Sequence, residues 1–382
     1  MAKPEERFGV ESHHLDRLEL ALHLAAQSLF ATSPNPHVGC VVTSPQGDVL
    51  GQGQTQLAGG AHAEVMALQN AAALGNSVMG AIAFVTLEPC SHFGRTPPCC
   101  NALIEAKVAK AVISRVDPNP LVAGLGVAAL RAAGIEVEVL PPNHPHAIAS
   151  RELNIGFFSR MIRKTPWVRM KIASSLDGTT ALANGQSQWI TSEEARTDGH
   201  AWRARSCAVL TGIGTVLQDN PWLDVRLVDT PRQPHLVVID SRLETPLDAH
   251  LFIAGRALFI YAAGQNDMKK AALEARGATV VYLPDANGKV DLTAMMKDLA
   301  TREINELHVE AGSKLNGSLI RAGLVDEFLI YLAPKLLGPG QGMAAFEPLQ
   351  QLSEAVDLQF LSADRVGSDL RVVARGVGRD QF

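Results

Sequence analysis

His62-Ala63-Glu64, followed at residues 86–100 by TLEPCSHFGRTPPCC, is the stretch on which the reading of this chain turns. An imidazole and two thiolates are three ligands of the kind zinc takes, and a catalytic zinc keeps a fourth position open for water. Cys90 follows the end of a short apolar run, AIAFVTL (81–87), and either Cys99 or Cys100 supplies the second sulfur. Pro98 opens a helix at Cys99, and a helix N-terminus favours the thiolate form that binds metal. Glu64 stands beside the ligand set without belonging to it, where a carboxylate can carry protons. A lone H-x-E on a helix is usually a solvated face; joined to Pro89-Cys90 and a further cysteine about ten residues on, it becomes specific. A purely structural zinc site more often shows four protein ligands.

Strand and helix signals alternate around this stretch. Leu15, Leu18, Leu22, Ala25 and Leu29 recur at helical spacing and predict a helix over residues 15–31. SPNP (33–36) stops it, because a residue before proline avoids the helical region. GCVVTSPQGDVLGQG (39–53) reads as a hairpin, 62–74 as a helix, 81–87 as a buried strand and 99–106 as a helix. A strand at 109–114, a helix at 127–133 and a strand at 135–140 complete an α/β layered unit. PPNHPHA (141–147) has the look of a linker, yet Asn154, Phe157, Phe158 and Met161 beyond it read as packed. The boundary is therefore expected near Lys164-Thr165-Pro166, giving domains 1–164 and 165–382. Strands are expected in the second domain at 167–173, 207–211, 236–240, 257–262, 279–283, 306–310 and 325–332, with helices between several of them.

Composition narrows the function classes. With 382 residues, the prior of about 150 residues per domain allows two or three domains. A balance of 34 Lys+Arg against 39 Asp+Glu, net −5, excludes a general polyanion binder but leaves room for a few arginines on one phosphate. Five cysteines, an odd number in a long chain, argue against a secreted disulfide framework. Met1–His14 lacks the apolar core of a signal peptide, and no apolar run approaches the ~20 residues of a membrane span. The expectation is a cytoplasmic protein with no membrane and no nucleic-acid partner.

H-x-E…P-C-x-x-C marks zinc deaminases of nucleobases, in which the Glu is general acid/base. Here eight residues, SHFGRTPP, separate Cys90 from Cys99 where that signature has two. PNPHVGCVV (34–42), HAEVMAL (62–68), TLEPCSHFGRTPPCC (86–100) and DPNPLVAGLG (117–126) closely resemble the deaminase half of the bifunctional riboflavin-biosynthesis deaminase/reductase family. The resemblance implies a cytidine-deaminase-like fold with zinc on His62, Cys90 and Cys99, and Glu64 as the catalytic proton carrier. It implies as substrate a phosphorylated ribosylaminopyrimidine, 2,5-diamino-6-ribosylamino-4(3H)-pyrimidinone 5′-phosphate, which loses ammonia from C2. Asn35, His92, Arg95, Asp117 and Asn119 are candidates for holding its base, ribose and phosphate. Asn35 and Asn119 equally suit turn chemistry within PNP and DPNP. His23 and His37 read as surface or packing residues.

KIASSLDGTTALANGQSQWIT (171–191), TGIGTVLQDNPWLDVR (211–226), VVIDS (237–241), VEAGSKLNGSLI (309–320) and LVDEFLIYLAPKLLG (324–338) resemble the reductase half of the same family. This implies a dihydrofolate-reductase-like α/β domain that uses NADPH to reduce the ribosyl group to ribityl, with hydride delivered to C1′. By the family pattern the cofactor contacts are Ala173, Trp189, Thr215, Asp219, Ser241 and the run Gly312, Ser313, Lys314, Leu315, Asn316, Gly317 and Ser318. The substrate contacts are Ser187, Arg203, Leu223, Arg226 and Glu310; two arginines suit a phosphate, and Glu310 suits ribose hydroxyls. Arg242 is either a grip on the 2′-phosphate or a solvated turn residue, and Lys171 and Asp177 suit acid/base work or salt-bridge and turn roles equally. Gly124-Leu125-Gly126 lacks both the strand directly before it and the acid about 20 residues after it that a dinucleotide fingerprint needs, so it reads as a loop leading into a helix. Family resemblance also implies a homo-oligomer, dimer or tetramer. A nucleoside or tRNA deaminase with an unrelated second domain, or a non-catalytic zinc protein, is opposed by the second set of motifs.

Overall fold

Five strands carry the first unit of this computed structural model, which describes residues 12–94 and 97–382. They are β1 (Gly39–Thr43), β2 (Val49–Gln54), β3 (Ile82–Val85), β4 (Lys110–Ile113) and β5 (Glu136–Val139), in the order β2-β1-β3-β4-β5. β1 runs antiparallel to β2 and β3, whereas β3, β4 and β5 are parallel. The helices are α1 (Ser12–Gln27), α2 (Ala63–Ala73), α3 (Cys99–Glu105), α4 (Leu125–Ala132), α5 (Pro145–Leu153) and α6 (Ile155–Arg163). α1 ends four residues before the expected stop: Ser28 turns its hydroxyl back onto the Ala25 carbonyl at 2.7 Å, and residues 28–31 form turns.

Two glycines seat the helix that bears Glu64. A Cβ on Gly51 would lie 2.4 Å from the Ala67 carbonyl oxygen, and one on Gly53 would lie 2.5 Å from the Met66 Cβ. Only bare backbone on this face of β2 lets α2 approach so closely. The Gly-Gln-Gly of the hairpin is thus a packing device that fixes where His62 and Glu64 stand.

PPNHPHA is no linker. His144 caps α5 by accepting the His146 N–H at 3.2 Å, and Pro145 takes the first helical turn, where a missing N–H costs nothing. Asn154, between α5 and α6, donates to the His37 carbonyl at 2.9 Å and accepts the His37 N–H at 2.7 Å. That pair ties the two helices to the segment leading into β1. His37 itself is buried, with Nδ1 2.6 Å from the Thr32 hydroxyl.

The chain divides between Arg163 and Lys164. The second unit contains β6 (Trp167–Ser175), β7 (Thr179–Leu182), β8 (Ala208–Gly212), β9 (His235–Ile239), β10 (Leu258–Ala262), β11 (Ala278–Tyr282), β12 (Glu306–Val309), β13 (Glu327–Ala333), β14 (Gly340–Gly342), β15 (Leu358–Val366) and β16 (Asp369–Gly376). Nine of these form one mixed sheet in the order β11-β10-β9-β8-β12-β6-β13-β16-β15, parallel as far as β13 and antiparallel beyond it; β7 and β14 pair separately. Its helices are α7 (Glu193–Arg205), α8 (Ile213–Asp219), α9 (Asp267–Ala275), α10 (Leu292–Thr301) and α11 (Ser313–Arg321). Both units have the α/β architecture expected of them.

A row of buried charges crosses this sheet. Arg169 on β6 bonds Glu306 of β12 and Glu327 of β13, each at 2.6 Å, and Glu327 in turn holds Arg375 of β16 at 2.9 Å. Arg205 closes the row onto Glu306 at 3.0 Å. Burial pushes the Glu306 carboxyl up, but Arg205 and Arg169 outweigh it and hold it down to about 2. No strand was expected beyond residue 332, and the β15–β16 hairpin is the largest departure. LQFLSADRV lacks clean alternation because a bulge falls between Phe360 and Ser362, and β15 is an edge strand exposed along nearly its whole length.

Candidate active sites

His62 is the residue before α2, and Glu64 lies in its first turn. Cys90 follows β3, and Cys99 is the first residue of α3, with Pro98 at its cap. These elements bring His62 Nδ1 to 3.6 Å from Cys90 Sγ and 3.3 Å from Cys99 Sγ. The Cys99 N–H also donates to Cys90 Sγ at 3.3 Å. The three ligand atoms lie within 4.8 Å of one another, and Cys100 is not among them: its sulfur faces the Asn101 side chain at 3.6 Å. Hydrogen bonding from the Cys99 thiol and from His62 pulls Cys90 down to about 4, while that same bond to Cys90 pushes Cys99 well up. Glu64 is buried, and burial followed by the Cys90 charge raises its carboxyl to about 7. Cys40 and Cys207 are buried core residues, and none of the five cysteines is in a disulfide.

Glu88 was not singled out from the sequence, yet it organises this site. Its buried carboxylate accepts three backbone N–H groups: Asp117 at 3.2 Å, Gly124 at 2.9 Å and Val127 at 3.0 Å. Glu88 thereby pins the DPNP loop and the start of α4 next to the Pro89-Cys90 turn. Gly126 is needed for the same approach, since a Cβ there would lie 2.1 Å from the Pro89 carbonyl oxygen. The Gly124-Leu125-Gly126 pattern therefore has a packing explanation. An acid sandwiched between a strand end and Pro-Cys was the available signal.

The remaining first-unit candidates fall around this centre in different ways. Asp117 is buried, and its carboxyl is raised to about 7 by burial, with the Glu88 and Cys90 charges adding to the shift. It also accepts the Asn119 N–H at 2.7 Å, and Asn119 Oδ1 accepts the Leu121 N–H at 3.1 Å, so both serve the turn. Asn35 is half-buried and its side chain makes no hydrogen bond among the described residues. His92 Nδ1 is buried without a partner among the described residues. Arg95 lies outside the described residues.

In the second unit, candidates gather at the C-terminal ends of the parallel strands, where ligands of open α/β sheets bind. Glu310 follows β12 and takes a two-point ion pair from Arg203 of α7, Nε on Oε1 and Nη2 on Oε2 at 2.9 Å. Lys171 of β6 stands 3.9 Å from Glu310, and His308 stands 3.4 Å away. Burial pushes Glu310 up, but Arg203 outweighs it and holds it well below the carboxylate range; burial and Arg203 push the Lys171 ammonium down. Arg226 is exposed and pairs with Asp224, while the Leu223 side chain is buried in the core. Ser187 and Trp189 lie in the loop after β7; Trp189 is exposed and stacks under the Arg196 guanidinium at 4.5 Å.

Gly212 and Gly312 begin α8 and α11 without side-chain caps, at the ends of paired strands β8 and β12. Ala173 is half-buried on β6, Thr215 and Asp219 lie on α8, and Ser241 follows β9, its carbonyl accepting the Gly264 N–H at 2.8 Å. Within the run at 312–318, Gly312 and Lys314 are exposed and Ser313 and Leu315 half-buried. Ser318 turns its hydroxyl to the Lys314 carbonyl at 3.0 Å. Asn316 and Gly317 are spent on the segment opposite: Asn316 donates to the Met343 carbonyl at 2.9 Å, and a Cβ on Gly317 would lie 2.0 Å from the Ala345 oxygen. Arg242 pairs with Glu244 at 2.9 Å, and Asp177 clamps the Leu337 and Gly338 N–H groups at 3.1 and 2.8 Å.

Comparison with known proteins accounts for both sites. Residues 11–115 match the cytidine and deoxycytidylate deaminase zinc-binding region, and residues 166–372 match the RibD C-terminal domain. The riboflavin biosynthesis protein RibD of Escherichia coli K12 is 43% identical over 365 residues, covering 92% of this chain and 96% of that protein. The chain belongs to the RibD family. The RibD structure from Acinetobacter baumannii superposes with a TM-score of 0.85 at 36% identity, covering 96% of this chain and 99% of that one. A Thermotoga maritima structure described as a diaminohydroxyphosphoribosylaminopyrimidine deaminase/5-amino-6-(5-phosphoribosylamino)uracil reductase gives 0.83 at 30%, covering 95% and 99%. RibD proteins are bifunctional enzymes of riboflavin biosynthesis, and this chain carries both the zinc deaminase region and the reductase domain.

Both of the family's cofactors fit the residues present. A tetrahedral zinc, with Zn–N about 2.0–2.1 Å and Zn–S about 2.3 Å, sets nitrogen and sulfur roughly 3.6 Å apart. The 3.6 and 3.3 Å separations of His62 from Cys90 and Cys99 suit that ion, and three ligands leave one position open. For NADPH, the start of α11 offers unpaired N–H groups beside a glycine with no Cβ, a ready anion site for a pyrophosphate. Among the described residues no helix is long and apolar enough to cross a membrane.

Proposed function

We propose that the first unit deaminates 2,5-diamino-6-ribosylamino-4(3H)-pyrimidinone 5′-phosphate and that the second reduces the ribosyl group of the product. One observation carries this reading: the buried Glu64 stands at a His62–Cys90–Cys99 ligand set in a chain whose other half is the RibD reductase domain. Bound zinc supplies a Lewis acid that lowers the pKa of water at the open position towards about 7. Glu64 carries one proton of the attacking water to the ring nitrogen and the second, from the hydroxyl formed at C2, to the leaving amine, so N=C2–NH2 and water become HN–C2=O and ammonia. Asp117, His92, Asn35, Asn119 and Arg95 are assigned to substrate binding.

In the second unit NADPH supplies hydride to C1′ of the ring-opened sugar. Glu310, held ionised by Arg203, accepts hydrogen bonds from ribose hydroxyls. Lys171 stands 3.9 Å from that carboxylate, and its ammonium is the donor proposed for the proton that accompanies the hydride. Arg226 presents an exposed guanidinium to the phosphate, and Ser187 and Leu223 are assigned to the same substrate, although the Leu223 side chain packs in the core. Ala173, Trp189, Thr215, Asp219, Ser241 and residues 312–318 are assigned to the cofactor, with Asn316 and Gly317 packing the start of α11 against residues 343–345. A Glu64→Gln variant tests the first step: zinc content is retained and ammonia release is lost, whereas unchanged release overturns the assignment.

The protein is assigned to the cytoplasm, a reading supported by thiolate ligation and five cysteines without disulfides. It is also assigned a homo-oligomeric state. Support comes from β15, a nine-residue edge strand that leaves Phe360 76% and Leu361 45% exposed, a surface that soluble chains normally cover.

A further inference from the structure

The loop Pro221–Arg226 (PWLDVR) carries two candidate substrate residues, yet it is neither helix nor strand. Leu223 has a φ of +48°, in the left-handed region that a branched side chain rarely adopts. Side chains from elsewhere hold its backbone in that shape. Arg256 donates to the Trp222 carbonyl at 2.6 Å and to the Leu223 carbonyl at 2.8 Å. Arg203 donates to the Asp224 carbonyl at 2.9 Å. Gln233 grips Val225 on both sides, accepting its N–H at 2.7 Å and donating to its carbonyl at 2.8 Å. His200 Nδ1 accepts the Arg226 N–H at 3.1 Å.

Arg256 is the unusual member. It is 9% exposed and makes no ion pair among the described residues; both of its bonds go to this loop. Burial lowers its pKa to about 10, so the charge is held there against a real penalty. The cation makes no direct ion pair among the described residues but caps two carbonyls, with the Asp224 charge close enough to favour it. Arg226 is held by His200 at its own N–H and through the residues before it, which are fixed in sequence: Arg256 sets 222 and 223, Arg203 sets 224, and Gln233 sets 225.

We propose that Arg256 and Gln233 are positioning residues of the reductase site, which act through the backbone of residues 222–225 to aim Arg226 at the substrate phosphate. The proposal rests on the reading of Arg226 as the phosphate-binding group. Neither side chain needs to touch substrate. Arg256 fixes the turn at residues 222–223 through its two carbonyl bonds, and Gln233 adds register, since an amide is the side chain that can both accept from and donate to one residue's backbone.

The test uses full-length, zinc-loaded protein, the deaminated substrate, its dephosphorylated analogue and NADPH. Gln233→Glu keeps shape and the bond from the Val225 N–H but cannot donate to the Val225 carbonyl; Arg256→Lys keeps charge but loses the two-carbonyl fork. Each is expected to raise KM for the phosphorylated substrate about 10–100-fold, the scale of one or two lost charge-assisted contacts, with kcat within about threefold. KM for NADPH, ammonia release and kcat/KM for the dephosphorylated analogue stay at the wild-type level. A variant that loses NADPH affinity along with substrate affinity contradicts the proposal, because that is what a merely structural role gives. Arg226→Ala separates the two layers. If it keeps the wild-type preference for the phosphorylated substrate, the underlying phosphate reading fails; if it loses the preference while both other variants keep it, the positioning proposal alone fails.

Discussion

Replacing Glu88 by Gln removes one charge and almost no volume from beneath the zinc site. Glu88 Oε2 accepts the Asp117 and Gly124 N–H groups at 3.2 and 2.9 Å, and Oε1 accepts Val127 at 3.0 Å. A glutamine can keep its oxygen on the first two donors, but its NH2 then faces the Val127 N–H. A buried donor left without an acceptor costs about 1–3 kcal/mol. The two surviving bonds also lose their charge assistance, which roughly halves them. Relief from burying a carboxylate offsets part of this, leaving a net loss of about 2–4 kcal/mol from a stability of about 5–15 kcal/mol. Cys90 lies two residues away, and disturbing groups that orient ligands costs about 10–100-fold in metal affinity. Chelator competition reads that loss, ammonia release reads its consequence, and NADPH turnover on supplied deaminated substrate is the internal control. Gly126→Ala reaches the same turn from the other side, because its Cβ would lie 2.1 Å from the Pro89 oxygen. A Glu88→Gln protein with wild-type zinc affinity and melting temperature refutes the reasoning.

Four further outcomes are expected. Cys99→Ser loses zinc, whereas Cys100→Ser retains it and keeps ammonia release, as metal analysis of the purified variants will show. Arg169→Met leaves Glu306 and Glu327 buried without their shared partner and costs roughly 3–5 kcal/mol by urea unfolding. The same carboxyls set an acid limit: both titrate below their ordinary value of 4.5, so their stabilisation is complete above that value and is lost as pH falls through the folded value, about 2 for Glu306. Phe360→Asp on the β15 edge shifts the mass measured by light scattering towards the monomer; an unchanged oligomer places the interface elsewhere.

What could be read in advance depended on whether the signal was local. His62-Ala63-Glu64 and Cys90…Cys99 lie on consecutive elements, so spacing alone announced a metal site, and the strand–helix alternation around them announced the layers. The pairing of Arg203 with Glu310 joins residues 107 positions apart, and no local pattern foretells that an arginine suited to phosphate is already occupied by a carboxylate. α5 hid behind Pro141, Pro142 and Pro145, whose breaking character is strong, although proline in a first helical turn is harmless. β15 hid because a bulge breaks its alternation and an exposed edge has no buried face to show. Glu88 hid because its partners are backbone N–H donors, which carry no sequence signature; only its place before Pro89-Cys90 marked it.

Two coupled chemistries in one chain can be separated by order of events. Zinc-loaded protein is given the diaminopyrimidinone phosphate, and ammonia and NADPH absorbance are followed together. Ammonia is expected without NADPH, and NADPH oxidation only after ammonia has appeared, with Glu64→Gln abolishing both from this substrate yet oxidising NADPH normally on the deaminated one. NADPH oxidation by Glu64→Gln on the undeaminated substrate, or no ammonia from the zinc-loaded wild type, would contradict the account.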